Sequence, residues 1–432
     1  MLASDNSSDK AQTPSDRMPH NASINDEVFV LGTDITWIDL EERLRAALKT
    51  KANFGSNKRI ERIGVGQGFM SAIGRLYPEW TREQDVLPRT FIVKIPSATS
   101  TKNYLKSSEL HKVFEECDGP SEEEMFEGHE RMIKTVHNTE SGFYLINESL
   151  PKKLKAPKAF VVERFEEGKS KGLLILEDLC DAHIVPVYKN VSIDEAAEVI
   201  DALAEVHAYS LRTDSWLTLS SVTLKDLMTK NHQSTEGMMK VTELCAQSDP
   251  ERLDERMNKL REIYSEVFDL DFEQNLYKEM GLKPVLVHGD LWSSNVLWKG
   301  EEGSRQLVAL IDWQVIVHPG CSAQDLARFI SSMLSAEDRR KHWERLLERY
   351  YAKLEENLGR KPPFTLQQVK ESFVRLLPFH MFLVLPTLGP LVLYHIKQTM
   401  PQQYDEIRTA MVDKAVALID DIFYYHELNS VK

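Results

Sequence analysis

The sequence has 432 residues and carries 53 Lys and Arg against 67 Asp and Glu, which gives a formal net charge of −14 at pH 7. This balance argues against a broadly basic nucleic-acid-binding protein, because phosphate binding rests on clustered Lys and Arg. Hydrophobic residues make up 42% of the chain, which excludes a mostly disordered protein. The length exceeds what one hydrophobic core usually fills, so two lobes are expected.

Cysteine usage and the distribution of apolar residues indicate a cytoplasmic protein. The four cysteines form no C-x-x-C pair, which fits a reducing compartment better than a disulfide scaffold or a zinc site. Residues 1–27 are acidic, lack aromatic residues and show no secretory signal pattern, so they are predicted to be a disordered tail. The uncharged stretch Leu376–Ile396 is long enough to span a bilayer, but prolines interrupt it, and buried helices of a soluble lobe are expected instead.

The first part of the folded region is predicted to be a small sheet with helices. Thr36 and Asp39 form a capping-box pattern that predicts a helix, and Ser121 with Glu124 predicts a long helix running to about residue 146. Short segments rich in Ile, Val and Phe predict strands at 59–64, 69–76, 89–95, 158–165 and 172–178.

After Leu179 the pattern is mainly helical. Helix starts are predicted at Ser192, where Glu195 completes a capping box, and at Ser335 and Thr365, with a last helix over 402–427. Two apolar runs, 284–287 and 307–311, have β-type composition. The sequence therefore predicts an α+β protein with a tail (1–27), an N-terminal lobe (28–179) and a larger, mainly helical C-terminal lobe (180–432).

A glycine-rich turn and a lysine in a strand suggest a phosphate site. Gly64, Gly66 and Gly68 lie between two predicted strands, where glycines let backbone N–H groups approach a phosphate. Because a strand follows them, they are not a dinucleotide fingerprint. Lys94 sits in the next apolar strand, where an ammonium group is costly without an anion. An edge-strand lysine reaching solvent is the alternative, but its position matches the phosphate-binding lysine of kinases.

The strongest motif is H-x-D-x-x-x-x-N at His288–Asn295, directly after an apolar run. In a kinase catalytic loop the Asp accepts a hydroxyl proton and the Asn binds magnesium, which assigns Asp290 and Asn295 to these tasks. Asp312 follows another short strand, and its carboxylate is suited to be the second magnesium ligand. Considered without Asp290 and Asn295, it would be interpreted as a turn residue. Together these residues predict phosphoryl transfer with ATP and Mg²⁺.

Other polar residues are less specific. Lys94 needs a carboxylate partner, and the long predicted helix region offers Glu124, Glu127, Glu130 and Glu140, among which periodicity cannot choose. Asp325 is interpreted as a helix cap that braces the catalytic loop, or as a plain N-cap. His207 lies on an apolar helix face and is interpreted as a packed structural histidine.

Three motifs, HGDLWSSNVLW (His288–Trp298), IDWQ (Ile311–Gln314) and GQGFMS (Gly66–Ser71), together resemble the CHK-kinase-like or ecdysteroid-kinase-like family. These proteins are relatives of choline kinases and aminoglycoside phosphotransferases and have a two-lobed, protein-kinase-like fold. The resemblance covers nearly all of the chain from about residue 30.

The resemblance implies roles for individual residues. Glu140 would pair with Lys94, and Glu177 and Leu179 would lie in the hinge that meets adenine. Asp290 would be the base, with Asn295 and Asp312 as magnesium ligands.

The expected activity is ATP- and magnesium-dependent phosphorylation of a hydroxyl on a small molecule, such as a steroid-like or xenobiotic alcohol. An I-D-W segment in place of D-F-G, and no A-P-E motif, favour a small-molecule acceptor over a protein. The alternative is a catalytically inactive kinase-like protein that binds a ligand or partner. Neither nucleic acid nor a membrane is an expected partner, and the oligomeric state stays open.

Overall fold

A computed structural model of the chain describes residues 28–64, 70–82, 86–97, 122–168, 171–219, 223–230, 235–314 and 318–431. The predicted tail, residues 1–27, lies outside these ranges.

The N-terminal part contains a five-stranded antiparallel sheet with the strand order β1-β2-β3-β5-β4. Its strands are β1 (Arg59–Arg62), β2 (Ser71–Tyr77), β3 (Phe91–Pro96), β4 (Ala159–Glu163) and β5 (Leu173–Glu177). All five were predicted, with ends that differ by one or two residues. Strand β3 is central, since it pairs with β2 on one side and with β5 on the other.

Two helices accompany the sheet: α1 (Trp37–Leu48) and α2 (Glu122–Ser149). The predicted capping box of α1 is confirmed, because the hydroxyl of Thr36 accepts from the Asp39 N–H at 3.1 Å and the Asp39 carboxylate accepts from the Thr36 N–H at 2.9 Å. Helix α2 runs three residues past its predicted end. Ser121, half of its predicted cap, lies outside the described residues.

Strand β5 connects two hydrophobic cores because its side chains alternate between the faces of the sheet. Leu173 and Ile175 pack with α1 in a small core. Leu174 and Leu176 belong to a larger core that fills the C-terminal part.

The C-terminal part is mainly helical, as predicted. Its α-helices are α3 (Ile193–Arg212), α4 (Leu224–Lys230), α5 (Thr235–Glu243), α6 (Pro250–Val267), α7 (Leu270–Glu279), α8 (Ala323–Met333), α9 (Ala336–Leu358), α10 (Leu366–Phe382), α11 (Leu385–Pro390), α12 (Lys397–Thr399) and α13 (Tyr404–Ser430). A π-helical turn, Leu391–Ile396, follows α11, and 3₁₀ turns occur at Ser215–Thr218, Leu244–Ser248, Ser293–Asn295 and Pro401–Gln403. The predicted caps at Ser192, Ser335 and Thr365 are confirmed by hydrogen bonds to the third residue of each helix.

Two small antiparallel strand pairs interrupt the helices. Strand β6 (Val285–Val287) pairs with β9 (His318–Gly320), and β7 (Val296–Lys299) pairs with β8 (Gln306–Leu310). The sequence predicted β6 and β8 and missed their partners. The loop between β6 and β7 is the predicted catalytic loop, and the IDW segment follows β8.

The apolar stretch Leu366–Thr399 is long and apolar enough to cross a membrane by length and composition. In the structure, 72% of its most apolar window is buried inside the protein. This burial agrees with the expected core helices.

A small antiparallel sheet with one long helix, followed by a mainly helical part that carries the catalytic loop, is the expected two-lobed, protein-kinase-like architecture. The exact boundary at residues 179 and 180 remains a prediction.

Candidate active site

Lys94 lies in the middle of the sheet, on β3, opposite Ile73 of β2 and Leu174 of β5. Its ammonium group lies 2.8 Å from Glu140 Oε2 on α2 and also donates to Asp312 Oδ1, just after β8. The Lys94 side chain is 7% exposed. Its ion pairs with Glu140 and Asp312 join three elements that are distant in sequence.

The charges in this cluster hold each other in place. Burial alone would lower the pKa of Lys94, but the facing carboxylates of Asp312 and Glu140 outweigh it, so the pKa is raised and the group stays cationic. Burial raises the pKa of the Glu140 carboxyl above its ordinary value, against the pull of Lys94. Of the four carboxylates that the sequence left open, Glu140 is thus the partner of Lys94. Glu127 is exposed, and the side chains of the other two lie outside the described part.

The predicted catalytic loop is closed by hydrogen bonds between Asp290 and Asn295. Asn295 Nδ2 donates to the backbone oxygen of Asp290 at 2.8 Å and to Asp290 Oδ2 at 3.2 Å. The other carboxylate oxygen, Asp290 Oδ1, accepts from Arg328 Nη2 on α8 at 3.2 Å. The Asp290 side chain is 26% exposed, which leaves it accessible to a substrate hydroxyl.

Asp325, in the first turn of α8, holds the start of the catalytic loop. Its fully buried carboxylate accepts from the backbone N–H of His288 at 2.8 Å and of Gly289 at 2.9 Å. His207 Nε2 lies 3.5 Å from the same carboxylate, and His207 Nδ1 bonds the Tyr350 hydroxyl at 2.8 Å. These contacts agree with the interpretation of Asp325 as a brace and of His207 as a structural residue. The interpretation of Asp325 as the cap of the helix is wrong, because Ser322 is the N-cap residue of α8 and Asp325 is the third residue inside the helix.

Asp312 occupies an unusual backbone conformation between the catalytic loop and α2. Its φ is +66°, in the left-handed region that non-glycine residues seldom adopt. The preceding residue, Ile311, donates its N–H to Asn295 O at 3.0 Å and accepts from His288 Nε2 at 2.9 Å. The following residue, Trp313, stacks on Phe143 of α2 with ring centroids 3.9 Å apart. These contacts hold the backbone of Asp312 in its left-handed conformation and so fix the position of the carboxylate.

The predicted nucleotide contacts are placed only in part. Gly64 follows β1 with a φ of +66°, which fits a glycine turn, whereas Gly66 and Gly68 lie outside the described residues. Glu177 ends β5 with an exposed side chain, and Leu179 lies two residues further on. Their backbone groups are therefore at the strand end where the hinge was predicted.

The oxygen atoms of this site suit magnesium. Asn295 uses Nδ2 toward Asp290, so its amide oxygen and the Asp312 carboxylate are the ligands on offer, and hard oxygen ligands are what Mg²⁺ prefers. Within the described part of the chain, no group of three or more His, Cys, Asp or Glu side chains could hold a metal. A site with few protein ligands is typical of Mg²⁺ that is also held by substrate phosphates.

Sequence reasoning missed two contacts at this site. Arg328 touches the predicted base, although it lies 38 residues further along the chain. Arg75 of β2 binds the carboxylate of Asp178, in the predicted hinge, through two hydrogen bonds, at 2.7 and 3.2 Å. The one available signal was that Arg328 lies one helical turn after Asp325.

This chain is similar in sequence to two known proteins. A relative from Caenorhabditis elegans, "Uncharacterized oxidoreductase dhs-27", is 27% identical over 341 residues, which cover 74% of this chain and 38% of the relative. The chain thus spans well under half the length of that protein. A second relative from the same organism, "Uncharacterized kinase-like protein D1044.1", is 25% identical over 278 residues, covering 62% of this chain and 69% of the relative.

Among solved structures, spectinomycin phosphotransferase APH(9)-Ia, in complex with ADP and spectinomycin, is 13% identical with a TM-score of 0.41, over 91% of this chain and 100% of that one. Plasmodium vivax ethanolamine kinase is 13% identical with a TM-score of 0.40, over 92% and 95% of the two chains. Both similarities are too distant to bear on function. The profile of the DUF1679 family, described as "Uncharacterized oxidoreductase dhs-27", matches residues 29–430. The chain therefore belongs to the DUF1679 family.

Proposed function

We propose that this protein is an ATP- and magnesium-dependent phosphotransferase that acts on a hydroxyl group of a small molecule. The observation that carries the proposal is the buried Lys94 held between Glu140 and Asp312, linked to the hydrogen-bonded pair Asp290 and Asn295 through the Ile311–Asn295 backbone bond. Phosphoryl transfer needs a cation that binds phosphate, oxygen ligands for magnesium and a base, and these residues supply groups of each kind.

Each residue has a separate task in the proposed reaction. Lys94 binds phosphate oxygens of the nucleotide, and Glu140 keeps its ammonium group directed into the site. Mg²⁺ held by Asn295 and Asp312 would neutralise charge on the phosphates. Asp290 orients the acceptor hydroxyl and accepts its proton. As the acceptor oxygen bonds to the γ-phosphorus, the bond from that phosphorus to the bridging oxygen breaks, and ADP leaves.

The acceptor class is supported by sequence motifs. The I-D-W segment and the lack of an A-P-E motif favour a small molecule over a polypeptide. Membership of the ecdysteroid-kinase-like group and a steroid-like or xenobiotic alcohol as acceptor remain predictions from the motif resemblance. A cytoplasmic location is likewise a prediction.

The oxidoreductase name of the relative does not transfer readily to this chain. The match covers 38% of that protein, so its named activity can lie in the remainder. In this chain, Gly64 precedes strand β2, whereas a dinucleotide-binding glycine motif leads into a helix. The site described above contains the groups for phosphoryl transfer.

Binding of Mg-ATP tests the proposal first. At a concentration of about one hundred times its dissociation constant, Mg-ATP should stabilise the protein by about 2.7 kcal/mol, seen as a higher melting temperature. ATP without a divalent cation should stabilise it less, and Lys94→Met should abolish most of the shift. No stabilisation of the wild type would contradict the proposal. Stabilisation without phosphorylation of any alcohol would favour the catalytically inactive binding protein instead.

A further inference from the structure

Arg328 is a buried arginine whose hydrogen-bonding capacity is mostly unused. Its side chain is 8% exposed, and its one hydrogen bond to a described residue runs from Nη2 to Asp290 Oδ1 at 3.2 Å. Nε and Nη1 are buried and have no hydrogen-bond partner among the described residues. A guanidinium group has five N–H donors, so most of those of Arg328 face no acceptor in the part of the chain that the structure describes.

Such an arginine is unfavourable for folding, because a buried donor without an acceptor costs free energy and a buried charge needs full pairing. The catalytic loop does not need Arg328 for its shape. Asp325 already binds the backbone at His288 and Gly289, and Asn295 closes the other end. This combination of cost and structural redundancy indicates a role in ligand binding.

The position of Arg328 separates it from the nucleotide side of the site. Arg328 reaches Oδ1 of the Asp290 carboxylate, whereas Asn295, the proposed metal ligand, reaches Oδ2. Lys94 is paired with Glu140 and Asp312 instead. Arg328 therefore stands on the side of the base that is left for the acceptor. The half-buried Trp292 ring lies 5.8 Å from its Cζ and offers an apolar wall there.

We propose that Arg328 binds an anionic oxygen group, such as a carboxylate, sulfate or phosphate, on the acceptor itself. The acceptor would then be an alcohol with an apolar skeleton against Trp292 and an anionic group close to the hydroxyl that meets Asp290. A planar guanidinium fork suits such a group, because it donates two parallel hydrogen bonds. This inference rests on the proposed phosphotransferase function and narrows its substrate class.

Matched acids and esters test the inference. The probes are mandelate and 3-hydroxydecanoate, whose carboxylates lie close to the hydroxyl group. Each is compared with its methyl ester and titrated calorimetrically into the full chain loaded with a non-hydrolysable Mg-ATP analogue. The wild type should bind at least one acid at least about tenfold more tightly than its ester, because the ester lacks the charge that Arg328 pairs with. Arg328→Met should remove this difference by weakening the acid. Arg328→Lys, which keeps the charge and loses the fork, should restore part of it.

Stability separates this role from a structural one. Arg328→Met should melt at or above the wild-type temperature, because it removes an incompletely paired buried charge. If Arg328 merely supports the fold, the variant should melt lower and weaken acid and ester alike. Should Arg328→Met be poorly folded, the comparison rests on Arg328→Lys.

Besides that structural outcome, three binding results would overturn the inference. They are no preference for either acid in the wild type, an unchanged preference in both variants, and variants that lose affinity for the nucleotide analogue alone. The last would place the γ-phosphate at Arg328. A failure of the wild type to bind the nucleotide at all would instead count against the proposed phosphotransferase function.

Discussion

Lys94 is the buried cation between two carboxylates, so we expect it to contribute both to stability and to the proposed reaction. Lys94→Met should lower the free energy of unfolding by about 3 kcal/mol, since it leaves Glu140 and Asp312 without their counter-ion. It should also abolish ATP-dependent turnover, because the variant lacks the cation that is proposed to bind phosphate. Urea unfolding and ADP release measure the two effects.

The double variant Lys94→Met/Glu140→Gln is the matched control. Removing the buried carboxyl charge should recover part of the lost stability without recovering turnover. If Lys94→Met is as stable as the wild type, the ion pairs of Lys94 with Glu140 and Asp312 do not stabilise the fold as described above.

His137, three residues before Glu140, makes stability depend on pH. Burial lowers the pKa of His137 to about 4, helped by the charges of Lys94 and Arg164. The unfolded chain therefore takes up a proton first as the pH falls. The contribution of the neutral imidazole to the free energy of unfolding is fully present above about pH 6.5. As the pH falls from there to about 4, the free energy of unfolding decreases by at most about 3 kcal/mol.

The variant His137→Gln isolates this effect, because glutamine can still donate to the Glu163 carbonyl that His137 Nε2 bonds at 2.7 Å and cannot titrate. The difference in unfolding free energy between wild type and variant, measured in urea at several pH values, should shrink or reverse as the pH falls. A difference that is constant from pH 7 to pH 4.5 would show that His137 does not titrate in this way.

At the scale of elements, the stacking of Phe143 on Trp313 connects α2 to the segment that carries Asp312. Trp313→Ala should cost about 3–5 kcal/mol, because the indole is fully buried and its removal leaves a cavity. It should also reduce turnover, since Asp312 loses the neighbour that holds its left-handed backbone.

Trp313→Phe keeps an aromatic ring against Phe143 and serves as the control. It should retain most of the stability and activity that Trp313→Ala loses. Equal unfolding free energies for wild type and Trp313→Ala would mean that this stack does not couple the two elements.

Much of this arrangement could be predicted from local patterns. Capping boxes such as Thr36 with Asp39 act within one helical turn, and the spacing of Asp290 and Asn295 lies within one loop, so both are visible in the sequence. The partner of Lys94 could not be identified from helical periodicity, because the long helix region carries several carboxylates. Which of them lies close to β3 depends on the tertiary structure. Strand β9 was missed because its residues, His-Pro-Gly, do not have the apolar, β-type composition that predicted the equally short β6.

The contact of Arg328 with Asp290 is a second feature that local sequence patterns could not predict. This contact depends on how α8 packs against the catalytic loop, and an arginine in a helix is ordinarily a surface residue. Burial without full pairing is what distinguishes it, and burial is known only from the structure.

At the scale of the whole molecule, the two hydrophobic cores meet at β5, whose side chains contribute to both. The site lies where elements of the two parts come together: β3 and α2 from the first, the catalytic loop and the IDW segment from the second. A net charge of −14 does not oppose the proposed nucleotide binding, because Lys94 and backbone N–H groups would neutralise phosphate charge locally.

The central claim is that Asp290 serves as the base in phosphoryl transfer from ATP to a small-molecule hydroxyl. The most direct measurement incubates the full chain and its Asp290→Asn variant with Mg-ATP and a metabolite extract, followed by mass spectrometry for compounds that gain one phosphate. The wild type should produce at least one such compound, and the variant should produce it about a hundredfold more slowly or worse, while Mg-ATP still raises its melting temperature. Equal phosphorylation by both proteins, or none by the wild type, would contradict the account.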